Sequence, residues 1–122
     1  MDKLKVLLVD DEEELVDTWV ERLIFRGIDA EGVTNGTKAL EVLKGKKFDV
    51  VVIDVKMPGL GGLEVMKRIR KEHPNVKVIL ITGHGSVKNG EEGLQEGAFD
   101  YLAKPVKLED LIEKMKEAAE AD

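Results

Sequence analysis

Two kinds of segment alternate along the chain. Short apolar, β-branched runs stand at Lys5-Val6-Leu7-Leu8-Val9, Asp49-Val50-Val51-Val52-Ile53 and Val76-Lys77-Val78-Ile79-Leu80-Ile81. Runs of this length without regular polar alternation read as strands buried on both faces, as in a parallel sheet. Weaker runs, Asp29 to Val33 and Phe99 to Leu102, suit strands at the edges of that sheet. Between the strands, apolar residues recur at helical spacing over 12–26, 36–45, 62–72, 86–96 and 108–120. Gly27, Gly45 and Gly97 stand just past three of these helices, where a left-handed C-cap favours glycine. The order βαβαβαβαβα predicts a doubly wound α/β fold with a five-stranded parallel sheet, right-handed crossovers and helices on both faces.

In such a sheet, ligands bind beyond the carboxyl ends of the strands, so the residues there carry the chemistry. Asp10-Asp11-Glu12 follow the first strand, Asp54 the third, Thr82 the fourth and Lys104-Pro105 the fifth. Each has an ordinary explanation when taken alone. Asp11 with Glu14 can form a capping box, and Asp54 before Met57-Pro58-Gly59 can be a turn residue. Thr82 beside Gly83 can belong to a loop, and Lys104 can be a surface lysine before a proline. Their joint occurrence after four strands of one sheet points instead to a single site. Three carboxylates on one rim repel, and a hard divalent cation relieves that repulsion. Mg²⁺ suits oxygen ligands shared with a phosphate, Lys104 offers a point charge for an anionic oxygen, and Thr82 offers a hydroxyl. A carboxylate nucleophile with these partners makes a phosphoryl-transfer site.

Length and charge narrow the picture further. The 122 residues fit one domain, 1–122, and leave little room for two. With 25 acidic against 19 basic residues and no basic block, direct nucleic-acid binding is not expected. Cysteine is absent, which removes disulfides and thiolate chemistry and suits a cytoplasmic protein. Met1-Asp2-Lys3 does not open a signal peptide, and the apolar runs are too short to span a membrane. His73 and His84 have no second histidine or cysteine near them in sequence, so no transition-metal site is expected.

Along essentially its whole length, the chain resembles a response-regulator receiver domain. The matching residues are Val9-Asp10-Asp11-Glu12, Asn35-Gly36 with Ala39-Leu40, and Asp49 through Asp54 with Met57-Pro58-Gly59. Gly61-Gly62-Leu63, Ile81-Thr82-Gly83-His84-Gly85 and Gly97-Ala98-Phe99-Asp100-Tyr101-Leu102 with Lys104-Pro105 complete the pattern. The resemblance implies the flavodoxin-like strand order 2-1-3-4-5. It makes Asp54 the phosphoacceptor, with Mg²⁺ (Mn²⁺ able to substitute) on Asp11, Asp54 and the Lys56 carbonyl, and on Asp10 through a water. Lys104 then pairs with the phosphoryl oxygens, the Lys104–Pro105 bond is cis, and Thr82 and Tyr101 form a coupled switch. The fourth helix, fifth strand and fifth helix form the readout face. Implied partners are a sensor histidine kinase or a histidine phosphotransfer domain, an effector or output domain, and a second copy in a phosphorylation-dependent dimer. Such a domain is no conventional enzyme: it catalyses its own phosphorylation and dephosphorylation. A related hydrolase would carry an aspartate where Lys56 stands, and a flavin or cobalamin module would need a glycine-rich phosphate loop or a histidine ligand. The alternative is a phosphorylation-independent interaction domain, whose degenerate members lack the acid pair, the acceptor or the lysine; all are present here.

Two helices depart from the simple pattern. In the first, Leu15, Trp19 and Leu23 form one apolar stripe and Val16, Val20 and Ile24 an adjoining one. The two together are wider than a one-sided surface helix needs. They predict either a broad core contact or a second stripe partly exposed to dock a kinase or phosphotransfer domain. In the fourth helix, Gly90 and Gly93 stand where the family often has alanine, and Glu91 where it often has an apolar residue. Each interior glycine costs about 1 kcal/mol of helix propensity. With Val87 and Leu94 as its main apolar anchors, a loose surface helix is expected.

Overall fold

The computed structural model describes residues 3–83 and 87–121, without the side chain of Val87. Its elements run β1 (Lys5–Val9), α1 (Glu13–Phe25), β2 (Asp29–Val33), α2 (Gly36–Gly45), β3 (Val50–Asp54), α3 (Gly62–Glu72), β4 (Lys77–Thr82), α4 (Val87–Gln95), β5 (Asp100–Ala103) and α5 (Leu108–Glu120). All strand pairs are parallel, in the order β2-β1-β3-β4-β5. Because side chains alternate across a strand, each central strand feeds two cores. Val6, Leu8, Val52 and Ile81 pack with Leu23 of α1 and with Leu111 and Met115 of α5. Leu7, Val9, Ile53 and Leu80 pack on the other face with Leu43 of α2 and with Val65, Met66 and Ile69 of α3. This double burial is why the runs lack polar alternation. Among the described residues, no helix is long and apolar enough to cross a membrane.

Three strands sit one residue later than the apolar runs predict. The ladder continues through polar residues, pairing Asp54 with Ile81 and Thr82 with Ala103. Side-chain polarity does not end a backbone ladder, so Asp54 and Thr82 are the last rungs of the sheet instead of the first loop residues. Gly27 and Gly97 have the expected positive φ, 83° and 115°. Gly45 does not cap from outside. It is the last residue of α2, and Lys46 leaves the helix in an extended conformation, so no left-handed residue is required there. The capping box is also absent: the N-cap of α1 is Glu12, with no side-chain bond, and Asp11 lies before it.

The expectations for α1 and α4 need larger corrections. Val16 is buried, and both Val16 and Val20 fill the space that a side chain at Gly32 of β2 would need. Val16 is therefore a core contact, while Val20 packs against Gly32 and stays half-buried. Only Ile24 of the second stripe is exposed, at 55%. In α4, Gly90 and Gly93 are buried points of close approach, not marks of looseness. A Cβ at Gly90 would overlap the Tyr101 ring, and one at Gly93 would overlap Leu80. Leu94, expected as an anchor, is 40% exposed.

Candidate functional site

Asp54 occupies the last rung of β3 and is 5% exposed. It shares strand parity with Val52, so its carboxylate turns to the side of the sheet covered by α1 and α5. Its Oδ1 accepts the Lys56 backbone N–H at 3.1 Å, and its Oδ2 accepts Lys104 Nζ at 3.2 Å. Asp10 follows β1 directly; its Oδ1 accepts the Glu12 N–H at 2.9 Å, and its Oδ2 lies 3.9 Å from Lys104 Nζ. Asp11, exposed on the next residue, completes a triad in which one carboxylate oxygen from each residue lies within 4.8 Å of the other two.

The electrostatics reflect that crowding. Burial pushes the Asp10 carboxyl up to about 6; the Glu12 N–H and Lys104 oppose this, while the Asp54 charge reinforces it. Burial alone would lower the Lys104 ammonium, but the neighbouring Asp54 and Asp10 carboxylates outweigh it and hold the value above the usual one. One cation thus faces three carboxylates, and the excess negative charge suits a hard cation with oxygen ligands.

The fifth strand delivers Lys104 through one more rung, its N–H donating to the Thr82 carbonyl at 2.8 Å. The Lys104–Pro105 bond is cis. Thr82 is fully buried, and its Oγ1 has no hydrogen-bond partner among the described residues. Tyr101 of β5 is half-buried, with its ring flat against Gly90 of α4. Asp10, Asp11, Asp54, Thr82 and Lys104 therefore gather at one end of the sheet, with Lys56 two residues beyond Asp54. His84 lies outside the described residues. His73 caps the C-terminus of α3, at the other end of the sheet, away from the acidic triad.

Two features of the site were not read from the sequence. Gly62 opens α3 so close to the end of β3 that a Cβ there would overlap the Asp54 carbonyl and crowd Val55 Cα. Only glycine lets α3 start against the end of β3, and the Gly61-Gly62 pair was the available signal. The second feature is a cavity of about 500 Å³ that opens onto Asp10, Asp54 and Lys104, with Leu15 and Trp19 among its walls. Their helical spacing marks an apolar face but does not show that the face leaves a gap.

Comparison with known proteins agrees with this geometry. The family profile described as "Response regulator receiver domain" matches residues 6–116. The uncharacterized transcriptional regulatory protein YkoG of Bacillus subtilis is 36% identical over 97% of this chain and 52% of its own length. A putative NtrX-like response regulator of Rickettsia felis is 34% identical over 98% of this chain and 26% of its own. The chain therefore spans about half of the first relative and about a quarter of the second. Among solved structures, a receiver domain protein from Clostridium thermocellum superposes with a TM-score of 0.90 at 34% identity, covering 95% of this chain and 94% of that one. The receiver domain of NtrX from Brucella abortus gives 0.90 at 29% identity, covering 96% and 99%. The acidic triad stands where response regulators keep their phosphoacceptor and metal-binding carboxylates. Receiver domains catalyse their own phosphorylation and dephosphorylation and are not conventional enzymes. Sequence match, superposition and site together show that this chain belongs to the response-regulator receiver family.

Proposed function

We propose that this chain is a phosphoryl-accepting switch in which Asp54 takes a phosphoryl group from a sensor histidine kinase or a histidine phosphotransfer domain. The observation that carries the reading is the buried Asp54 carboxylate held 3.2 Å from Lys104 Nζ, beside two more carboxylates. The donor set fits Mg²⁺: three clustered carboxylates offer only oxygen, and a cation would offset both the burial that chiefly raises Asp10 and the smaller repulsion from Asp54. Asp11, Asp54 and the Lys56 carbonyl would hold the ion, with Asp10 reaching it through water, and Mn²⁺ would serve in its place. Bound there, the ion supplies positive charge against the carboxylates and the phosphoryl oxygens.

An Asp54 carboxylate oxygen attacks phosphorus in line. The bond from phosphorus to the donor imidazole breaks, the imidazole leaves with the electron pair, and an acyl phosphate forms. Lys104 exchanges its contact with Asp54 for one with a phosphoryl oxygen. Thr82, whose hydroxyl has no partner among the described residues, donates to another, and Tyr101 follows it inward. Nearly two added negative charges bias the two arrangements. The α4–β5–α5 face then presents the result to an effector or output domain or to a second copy, in the cytoplasm. Intact-mass analysis after incubation with acetyl phosphate tests the reading. One phosphoryl group should appear on the wild type with Mg²⁺, and none with a chelator or in Asp54→Asn. Equal labelling of the mutant would move the acceptor elsewhere, and no labelling of the wild type would favour a phosphorylation-independent interaction domain.

A further inference from the structure

The cavity between α1 and the loop that follows β5 is not explained by the acceptor chemistry alone. Leu8, Val52 and Ile81 of the sheet, Leu15 and Trp19 of α1, and Val106 of the loop make it predominantly apolar. Asp54 and Lys104 stand on its lining as well, so the apolar space and the acceptor share one opening. At about 500 Å³ it falls in the range of small-molecule pockets, roughly 300–1,000 Å³.

We propose that this cavity receives the acyl chain of a small acyl phosphate, so that among such donors Asp54 reacts preferentially with those carrying an apolar tail. The inference rests on Asp54 being the acceptor. Charge complementarity fixes the orientation: the phosphoryl group belongs with Lys104, and the chain attached to it with the apolar walls. The reaction balances without a further reactant. An Asp54 oxygen forms the bond to phosphorus, the phosphorus–oxygen bond to the acyl group breaks, and the electron pair departs with the acyl carboxylate. No proton or redox equivalent is transferred. Against these walls, each methylene added beyond acetyl would bury further apolar surface.

The test compares acetyl, propionyl and butyryl phosphate, whose carboxylate leaving groups have nearly the same basicity. At subsaturating donor with Mg²⁺, the rate of Asp54 labelling by mass should rise about fourfold per added methylene that is buried. Val106→Phe, which fills the cavity from a residue outside the acceptor chemistry, should keep the acetyl rate and flatten the series; Leu15→Phe should do the same from the α1 side. Trp19, the only tryptophan of the chain, should report butyryl phosphate binding by an emission change in Asp54→Asn, with a weaker response to acetyl phosphate. Equal rates for the three donors with the wild type would overturn the inference while leaving the acceptor reading intact. So would a series that persists in both filled variants, or a Trp19 emission that responds to neither donor. If a variant loses the acetyl rate through misfolding, the wild-type series and the Trp19 titration decide. Failure of acetyl phosphate itself would remove the acceptor reading, and this inference with it.

Discussion

A carboxyl group carried from water to the rim beside Asp54 holds its proton more tightly than in the unfolded chain; for Asp10 the value moves from 3.8 to about 6. Below 3.8 the group is neutral in both states and contributes nothing. Between 3.8 and about 6 the folded state binds more proton, so stability falls as pH rises. Above about 6 the full penalty is present, on the order of 1–3 kcal/mol at 1.36 kcal/mol per unit. Metal-free Asp10→Asn should therefore be more stable than the wild type near pH 8, and its advantage should shrink toward pH 4.5. Urea denaturation with a chelator at both pH values measures this; an advantage that does not change with pH would trace to packing and not to ionisation. The acids of the site were legible because each closes an apolar run, which makes its position in the fold as readable as the run itself. The glycines were not. Gly62 and Gly90 carry no polarity or period, and their role shows only in the neighbour that fills the space of the missing side chain. Local spacing likewise suggested a cap for Asp11, but the chain enters α1 one residue later, at Glu12.

Among the elements, α4 shows packing overriding propensity. Two interior glycines argue for a weak helix from sequence, since replacing each with alanine should gain about 1 kcal/mol. The folded helix lies so close to β4 and β5 that the gain meets an opposing cost, typically about 1–3 kcal/mol for an overpacked site. Leu80 is fully buried in the sheet and cannot retreat, so Gly93→Ala should destabilise the domain. Tyr101 is only half-buried and can swing away, so Gly90→Ala should cost less stability but displace the ring. Chemical denaturation would read the first effect, and the near-ultraviolet signal of Tyr101, the only tyrosine, the second. If both alanines stabilise the protein and leave the tyrosine signal unchanged, α4 moves off the sheet more easily than this packing allows. The same logic corrects α1. Its broad apolar face was legible, but not its division into Val16 and Val20 against Gly32; Leu15, Val16 and Trp19 along a cavity; and Ile24 toward solvent. That division depends on β2 and on the loop after β5, which the α1 sequence does not contain.

For the molecule as a whole, strand identity and helix order were legible because double burial removes the alternation that an exposed sheet face would impose. The strand ends were displaced by one residue at β3, β4 and β5 because hydrogen bonding, not side-chain polarity, sets them. That displacement matters for stability. Asp54 and Thr82 are sheet rungs, and Lys104 donates its N–H to the Thr82 carbonyl, so the site's geometry exists only while β3, β4 and β5 are paired. A cation held at the rim should therefore bind the folded state alone and stabilise the entire domain, by about 2.7 kcal/mol at a hundredfold excess over its Kd. For a chain of 122 residues this amounts to a rise in Tm of several degrees on adding Mg²⁺, reversed by chelator. Asp11 is exposed and makes no cap, so Asp11→Ala should leave the chelator Tm near that of the wild type and abolish the Mg²⁺ increment. Lys104→Ala should retain the increment, because a positive charge opposes the cation and is no ligand to it. Calorimetry on the three proteins with and without Mg²⁺ separates these outcomes. A full increment in Asp11→Ala, or its loss in Lys104→Ala alone, would show that the triad does not hold the ion.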